Sequence, residues 1–362
     1  MRARRTLVAG LAVLSLAGCD GNPAPEPAPP PSPPTASTPV DAPWSASGAR
    51  LDRLPEAFRR VRSALPASYP PDDAVLPDLL TDPPGRARLA YHPRETFDDR
   101  DGWSDERVFF FGVDGTWRSL ELVDLGLPES DHPGVDTYGA GELSPDGTRW
   151  AAKTNAGVVV VDLSTGLARV VELPGRATSY LDWRPDGRRL DVARYGGRPR
   201  YRTWTVDPVS GRATQASYSL PLDGYAVDGA VVTYDKRGTD VVRTVHRGRQ
   251  SVSSVVPIPW ELVRLGGLVG GTRTLVGLRR SVIVVDTASS QPLARVRLGY
   301  SGGFGFPRGW LDDDTLYFYS AAVGLLTWDV ETGDFRLLTS VRPADREDSW
   351  WTTAVAEQLV FD

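Results

Sequence analysis

Short apolar runs separated by turn residues fill the chain from Arg86 to its end. Valine, isoleucine and aromatic residues dominate these runs, and several alternate apolar and polar positions with the two-residue period of a half-buried strand. The run of valines at residues 158–161, which ends at Asp162, is the clearest example. The pattern predicts an all-β domain over residues 86–362.

A turn that begins with aspartate recurs along this region. It reads DLSTG at residues 162–166, DPVSG at 207–211 and DVETG at 329–333, and residues 282–288 hold a degenerate copy. The aspartate side chain bonds backbone amides inside such a turn, and the glycine supplies the positive φ that closes it. With two further hairpins, at residues 113–115 and 246–248, the turns recur every ~40–48 residues, the length of a four-stranded repeat.

A second repeated marker carries a family resemblance. LSPDG at residues 143–147 and WRPDG at 183–187 are each followed by an apolar strand and then by an aspartate turn. These segments resemble WD40-like or TolB-like β-propeller repeats, which implies a single propeller over residues 86–362. Trp328-Asp329 is the single Trp-Asp pair, so the resemblance to true WD40 blades is partial. Because propellers host enzymes, receptors and scaffolds alike, the resemblance implies architecture more than function.

The strand count predicts six blades of four antiparallel strands, with seven blades as the alternative. Each aspartate turn should join the third and fourth strands of its blade. The first blade is then one strand short, whereas residues 353–361 form a surplus strand at the end of the chain. We expect this last strand to complete the first blade and close the ring, which removes open sheet edges.

The N-terminal residues have the features of an export signal. A basic start (RARR, residues 2–5) precedes an apolar stretch at residues 7–17, which is shorter than the ~20 residues of a permanent membrane helix. LAGC at residues 16–19 resembles the lipobox of bacterial lipoproteins, which implies cleavage before Cys19 and its lipidation. We therefore expect a signal peptide over residues 1–18 and a protein anchored on the extracytoplasmic face of the cell membrane. An ordinary secretory peptide with a chance cysteine is the alternative.

Two segments separate this leader from the repeats. Residues 19–45 contain the lipidated cysteine and a proline-rich stretch, which predicts a disordered, semi-rigid tether. Residues 46–85 should form a strap on the main domain. Within it, the stripe of Leu54, Phe58, Val61 and Leu65 predicts a short helix over residues 55–64 that packs on this domain. A frayed linker helix is the alternative.

Composition and motifs limit the chemistry of the chain. The formal net charge of −5 argues against a nucleic-acid partner, and Cys19 is the only cysteine, so no internal disulfide can form. The chain has no Gly-x-Ser-x-Gly hydrolase motif, and its glycine pairs lack the residues of a phosphate loop. We expect no cofactor and no metal. A calcium loop at residues 99–106 and a cation site at residues 312–314 are the weaker alternatives to plain turns.

Three long loops predict a binding face around the first blade. Residues 92–106, 123–137 and 341–352 should meet on one face, and long loops in compact domains are usually functional or disordered. Their carboxylates and aromatic rings suit a sugar, a cationic group or a basic protein patch. The alternative is that the acids keep the rim soluble and the tryptophans seal the ring. The candidate residues are Asp98, Asp99, Asp101, Trp103, Asp105, Asp131, His132, Trp350 and Trp351.

These features favour a non-catalytic binding module with a protein or carbohydrate partner in the cell envelope. Two alternatives stay open. One is a propeller-type enzyme such as a lactonase or sugar dehydrogenase, and the other is a structural subunit of an envelope complex.

Replacing the single cysteine tests the anchor. Cys19→Ala removes the thiol that would be lipidated, so the variant should move from the detergent phase to the aqueous phase in a detergent partition assay. Two acyl chains contribute roughly 0.8 kcal/mol for each buried methylene, which makes the shift large. A Ser15→Ala variant, which keeps the cysteine, is the control and should stay in the detergent phase. If Cys19→Ala partitions as the unchanged protein does, lipidation is not the anchor.

Overall fold

The computed structural model describes most of the chain after residue 47. The described residues are 48–69, 71, 75–92, 107–126, 141–175, 178–195, 201–218, 224–226, 228–258, 268–278, 281–297, 304–320, 323–341 and 352–361. All of them belong to one compact unit, Ala42–Asp362, whereas the unit Met1–Asp41 and with it Cys19 lie outside the described residues. Within the part that is described, no helix has the length and apolar character needed to cross a membrane.

Almost all regular structure in these residues is β-strand, as predicted. Helical structure appears as short 3₁₀ turns, such as Leu122–Leu125 and Glu357–Leu359. The strands are, in chain order, β1 (Arg50–Asp52), β2 (Arg59–Arg60), β3 (Ser68–Tyr69), β4 (Ala87–His92), β5 (Arg107–Gly112), β6 (Trp117–Glu121), β7 (Glu142–Leu143), β8 (Arg149–Lys153), β9 (Gly157–Asp162), β10 (Leu167–Glu172), β11 (Thr178–Trp183), β12 (Leu190–Tyr195), β13 (Tyr201–Val206), β14 (Ala213–Gln215), β15 (Gly224–Tyr225), β16 (Val231–Arg237), β17 (Asp240–Arg247), β18 (Gln250–Val256), β19 (Leu268–Gly270), β20 (Arg273–Leu278), β21 (Ser281–Asp286), β22 (Pro292–Arg297), β23 (Phe304–Trp310), β24 (Thr315–Ser320), β25 (Gly324–Asp329), β26 (Phe335–Val341) and β27 (Thr352–Val355).

Hydrogen bonding joins the described strands into five sheets. Sheet I is β27-β4-β5-β6, sheet II is β7–β10 and sheet III is β11–β14. Sheet IV has nine strands, β15–β22 and β1, and sheet V consists of β23–β26 with β2 and β3 on its outer edge. Inner strands of successive sheets contact one another, as β27 does β7, β7 does β11, and β19 does β23. The sheets therefore have the predicted propeller-like arrangement.

The prediction of six separate blades, with seven as the alternative, is wrong. Four of the sheets hold one blade each, and sheet IV is continuous because β15 pairs in parallel with β19 between two antiparallel meanders. Gly224 makes this pairing possible. It has φ +129°, and a Cβ on it would lie 2.5 Å from the carbonyl oxygen of Val269. Only a glycine lets the two backbones come this close, and a count of strands does not reveal such a contact.

The aspartate turns join the third and fourth strands of their repeats, as predicted. Asp162 Oδ1 accepts a hydrogen bond of 2.9 Å from the amide of Ser164, and Gly166 follows with φ +71°. The degenerate copy keeps the same geometry, because Ser290 adopts φ +61° where the other turns have glycine. Equivalent aspartate–amide bonds are formed by Asp207, Asp286 and Asp329.

The core consists of apolar layers between neighbouring sheets. Phe110 of sheet I meets Trp150 of sheet II edge to face, with ring centroids 5.7 Å apart. Trp328 of sheet V packs in one cluster with Val284 and Val296 of sheet IV. Both tryptophans are fully buried. The hydrophobic effect thus acts chiefly across the sheet interfaces and fixes the angle at which the inner strands meet.

The short helix predicted over residues 55–64 is not formed. β2 lies there instead and pairs in parallel with β26, with Arg59 opposite Arg336. The apolar stripe still packs, because Leu54 and Phe58 contact the core beside Trp328 while Val61 and Leu65 contact the core around Tyr69. Pairing with an open edge satisfies the backbone there, and this tertiary contact outweighs a marginal ten-residue helix.

The described residues between 50 and 82, here called the outer belt, cover the outer edges of several sheets. β1 pairs in parallel with β22, and β2 and β3 pair with β26. Further along, the amide of Leu79 donates to Ser119 of β6 over 2.8 Å. Asp52 of β1 also joins this strand to sheet V, since it is 7% exposed and accepts a hydrogen bond of 2.9 Å from Trp328 Nε1. The belt thus occupies backbone groups that would otherwise form free edges.

The last strand closes the ring, as predicted. β27 pairs with β4 in antiparallel register, with Thr352 opposite His92 and Val355 opposite Leu89. The strand is shorter than residues 353–361, since the Glu357–Leu359 turn follows it. Ala354 and Val355 are buried at 2% exposure, so the closing strand contributes core as well as hydrogen bonds.

Deleting residues 352–362 tests this closure. The truncated chain should lose cooperative unfolding and aggregate, because β4 becomes an unpaired edge next to exposed apolar side chains. Thermal unfolding followed by circular dichroism and light scattering would show it. Deletion of residues 361–362 alone, which removes the exposed Phe361, is the control and should change little. An unchanged melting transition in the longer deletion would show that the last strand does not close the domain.

Candidate functional site

All nine residues of the predicted binding face lie outside the described residues: Asp98, Asp99, Asp101, Trp103, Asp105, Asp131, His132, Trp350 and Trp351. The strand ends that border them are described. His92 lies opposite Thr352, and Arg107 lies opposite Glu121, all at one end of sheet I. The strand ends next to these segments therefore lie together at one end of sheet I, and the binding face itself stays a prediction.

The inner strands carry a different group of ionisable side chains. Glu142 lies on β7 and Asp182 on β11, each three residues before the proline of a Pro-Asp-Gly turn. The next residue in each strand, Leu143 or Trp183, is buried in the core. Because side chains alternate along a strand, the acids point away from that core. The repeat thus places two carboxylates at equivalent positions of neighbouring sheets.

Three more charged residues complete what we call the central cluster: Lys153, Arg308 and Glu357 in addition to Glu142 and Asp182. Lys153 ends β8, Arg308 lies on β23, and Glu357 begins the turn after the closing strand. The charges of Arg308 and Lys153 act on Glu142, while those of Glu142 and Glu357 act on Asp182. Residues from sheets I, II, III and V therefore share one electrostatic environment.

Partial enclosure by protein shifts the protonation of the acids. Loss of solvation raises the pKa of Glu142 to about 6, although Arg308 and Lys153 act in the opposite direction. It raises the pKa of Glu357 to about 8, with a further rise from the charge of Glu142. Burial and the neighbouring carboxylates also raise the pKa of Asp182. The side chains of Glu142 and Arg308 are nevertheless exposed, so water reaches these two members of the cluster.

This arrangement supplies hydrogen-bond donors and acceptors of both charges. At neutral pH Glu142 is mostly ionised and Glu357 mostly protonated, as their pKa values of about 6 and about 8 require. Tyr317 lies beside Glu357, with its hydroxyl 3.4 Å from Oε1. Arg308 and Lys153 add cationic donors. A polar ligand could thus be held by several groups from separate sheets.

Two buried tyrosines of sheet V share the charge of Arg308 with the central cluster. Tyr69 is fully buried and Tyr319 is 6% exposed, and neither hydroxyl forms a hydrogen bond with a described residue. The charge of Arg308 acts on both, while burial raises the pKa of each phenol. Buried polar groups are normally hydrogen-bonded, so these hydroxyls add unused donors next to the cluster.

A buried ion pair lies one strand away and has a structural role. Asp191 on β12 is completely buried and accepts hydrogen bonds from Arg184 at 3.1 and 3.2 Å. Its remaining acceptor capacity is taken by Thr205, Tyr218 and Tyr225 at 2.6, 2.9 and 3.1 Å. Such a saturated carboxylate fixes sheet III against sheet IV and leaves little capacity for a ligand.

The sequence carries a signal for part of each group of charges. Arg184 occupies, in WRPDG, the position of Ser144 in LSPDG, and a cation there requires an acid such as Asp191 in the following apolar strand. The 40-residue repeat also brings Glu142 into register with Asp182. No pattern in the sequence places Arg308 or Glu357 beside them, because these two residues lie more than 120 positions further along the chain.

The described residues contain no group of three or more histidine, cysteine, aspartate or glutamate side chains that could hold a metal ion. Residues 312–314 form a turn in which Asp312 Oδ1 accepts amide hydrogen bonds of 2.8 and 2.7 Å from Asp314 and Thr315. Asp314 in turn pairs with Arg273. The calcium-like loop at residues 99–106 lies outside the described residues.

Comparison with known proteins finds structural likeness at low sequence identity. TolB from Acinetobacter baumannii is 14% identical, over 78% of this chain and 68% of that chain, with a TM-score of 0.46. The β-propeller domain of the trilobed protease from Pyrococcus furiosus, described as having an open velcro topology, is 15% identical over 72% and 84%, with a TM-score of 0.43. The acylaminoacyl peptidase from Pyrococcus horikoshii is 14% identical over 74% and 48%, with a TM-score of 0.45.

No protein-family model matches the sequence, and no curated protein matches it. The likenesses concern fold alone. The propeller-like arrangement itself is established by the strand pairing described above.

The raised pKa of Glu357 makes stability depend on pH. In the folded state its pKa is about 8 instead of the ordinary 4.5, so the folded protein binds this proton more tightly than the unfolded chain. The contribution of Glu357 to the free energy of unfolding is therefore most favourable at pH values below the ordinary pKa. It is lost as the pH rises towards 8. A Glu357→Gln variant stays neutral, so its free energy of unfolding should rise relative to the unchanged protein between pH 5 and pH 8.

Urea unfolding at several pH values in this range measures the difference. Glu172→Gln, at an exposed position on β10, is the matched control and should show no pH-dependent difference. A constant difference between Glu357→Gln and the unchanged protein at every pH would contradict the assigned burial of the carboxyl group.

Proposed function

We propose that the chain is a lipid-anchored extracytoplasmic protein whose propeller binds a partner in the cell envelope and catalyses no reaction. The leader with LAGC at residues 16–19 supports export and anchoring. The resemblance of the two Pro-Asp-Gly repeats to TolB-like propellers supports a binding role, since these repeats build a scaffold on which loops and inner strands present side chains.

The central cluster is the observation that carries this proposal. Charged side chains cost free energy when they are partly desolvated, and most of them lie on solvated surfaces instead. Here Glu142, Asp182 and Glu357 have raised pKa values together with a lowered pKa of Lys153, all caused first by burial. Groups of this kind gain free energy when a ligand forms further hydrogen bonds or ion pairs with them.

The chemistry of the cluster suits a polar partner. It offers the carboxylate of Glu142, the protonated carboxyl of Glu357 and the cations of Lys153 and Arg308. A peptide segment or a sugar presents donors and acceptors at similar spacing and would be held by several of these groups at once. The tether would keep the propeller within reach of such a partner, and the loops that carry Asp98, Trp103 and Trp351 would add contacts at the rim.

Neutralising the cluster tests the proposal. The full chain should be cross-linked in membranes, purified, and its partners compared by mass spectrometry with those of a Glu142→Gln/Arg308→Gln double variant. Both positions are exposed, so the fold should persist while partner recovery falls at least several-fold. Glu172→Gln/Arg237→Gln makes the same change of charge at exposed positions elsewhere and is the control.

Three outcomes would contradict the proposal. Equal recovery of partners from the double variant and the control would show that the central cluster does not bind them. A stoichiometric redox cofactor or metal, found by absorbance or elemental analysis of the purified protein, would favour a propeller-type enzyme instead. Stable co-purification that is independent of the cluster would favour a structural subunit of an envelope complex.

A further inference from the structure

A pocket separate from the central cluster lies between sheets III and IV. It has a volume of about 1020 Å³, and none of the residues in the central cluster lines it. Its walls come from β14 and from the hairpins at Asp207, Asp228 and Gly248. These hairpins join first to second and third to fourth strands, so the pocket opens on the face opposite the predicted loops.

Arginine dominates the lining of this pocket. Five arginines face two aspartates there: Arg184, Arg189, Arg212, Arg247 and Arg249 against Asp207 and Asp228. The chain as a whole has a formal net charge of −5. The average surface of a protein with a net negative charge is not expected to carry an excess of arginines. This local excess of positive charge therefore needs a specific explanation.

The pairing of these charges shows how much of the positive charge is unbalanced. Arg184 is neutralised by the buried Asp191, and Arg247 pairs with Asp228 at 2.8 Å. Hydrogen bonds from backbone amides are the main cause of the lowered pKa of Asp207. The charge of Arg189 lowers this pKa further.

The remaining two, Arg212 and Arg249, form no side-chain hydrogen bond or ion pair with another residue that the structure describes, and both are exposed. Two positive charges are therefore left over.

The floor of the pocket adds groups that suit a bound organic molecule. Tyr218 is 9% exposed, and its ring lies 5.1 Å from that of His246. Burial lowers the pKa of His246, so this ring is neutral at pH 7 and contributes an apolar surface with a polar edge. Thr214, Gln215 and Ser217 supply neutral polar groups along the wall.

We propose that this pocket binds a small molecule that carries a phosphate monoester. Such a group has a charge of about −1.5 to −2 at pH 7, which matches the two unbalanced arginines. The planar guanidinium group donates two parallel hydrogen bonds to phosphate oxygens, and arginine is the preferred residue for that purpose. The aromatic floor would contact the remainder of the ligand. This site is independent of the partner site proposed for the central cluster.

The test is calorimetric titration of the full chain in detergent with glucose 6-phosphate as the probe. We expect saturable binding. A double variant, Arg212→Gln/Arg249→Gln, should bind at least about tenfold more weakly, because each charge-assisted contact contributes roughly that factor. Arg237→Gln/Arg297→Gln removes the same charge from exposed positions outside the pocket and should bind as the unchanged protein does.

A change in the opposite direction provides a second variant. Asp228→Asn frees Arg247 from its ion pair and should strengthen binding several-fold. The proposal is overturned if no saturable binding occurs, or if the control double variant loses as much affinity as the pocket variant. It is also overturned if glucose binds as tightly as its phosphate ester, or if citrate does, because the site would then not recognise phosphate.

Discussion

The pairing of β27 with β4 joins the two ends of the repeat region, and the rest of the domain depends on it. A chain whose single cysteine precedes the repeats has no disulfide to hold its ends together. Backbone hydrogen bonds between Thr352–Val355 and the first strand of sheet I replace such a link. Because β27 and β4 both contact β7, the same pairing also sets the position of Glu142, and the turn after β27 carries Glu357. Closure and the central cluster are thus one structural feature.

The elements that sequence predicted best are those specified by local chemistry. The aspartate turns form as expected because each aspartate bonds amides two or three residues ahead of it, within the same hairpin. The prediction of a helix over residues 55–64 was wrong because the structure of this segment depends on a contact with a distant strand. Its apolar stripe has helical spacing, but a helix of ten residues is marginal by itself, and pairing with the open edge of β26 is favoured instead. The continuity of sheet IV likewise depends on a contact between Gly224 and Val269, two residues that lie far apart in the sequence.

The candidate site shows the same division. The long loops could be identified from the sequence because their length and acidic composition are visible there. The strand that carries Glu142, β7, is only two residues long and gives no comparable signal. Glu142 and Asp182 could have been related through the repeat, but Arg308 joins them only in the folded protein. The charges also differ between the two polar regions. The central cluster mixes both signs and protonated acids, while the arginine pocket has an excess of positive charge, and the Asp182–Asp191 strand pair lies between them.

The outer belt also decides how mechanical load enters the domain. Any tension applied through the residues before Arg50 reaches the sheets first at β1. That short strand is bonded to β22 of sheet IV, and Arg50 and Asp52 are bonded to Val330 and Trp328 of sheet V. The tension is therefore divided between sheets IV and V. Strand β1, where it enters, is far along the chain from the closing strand β27. Load applied on the N-terminal side of the domain would therefore enter at β1 and not at the pairing of β27 with β4.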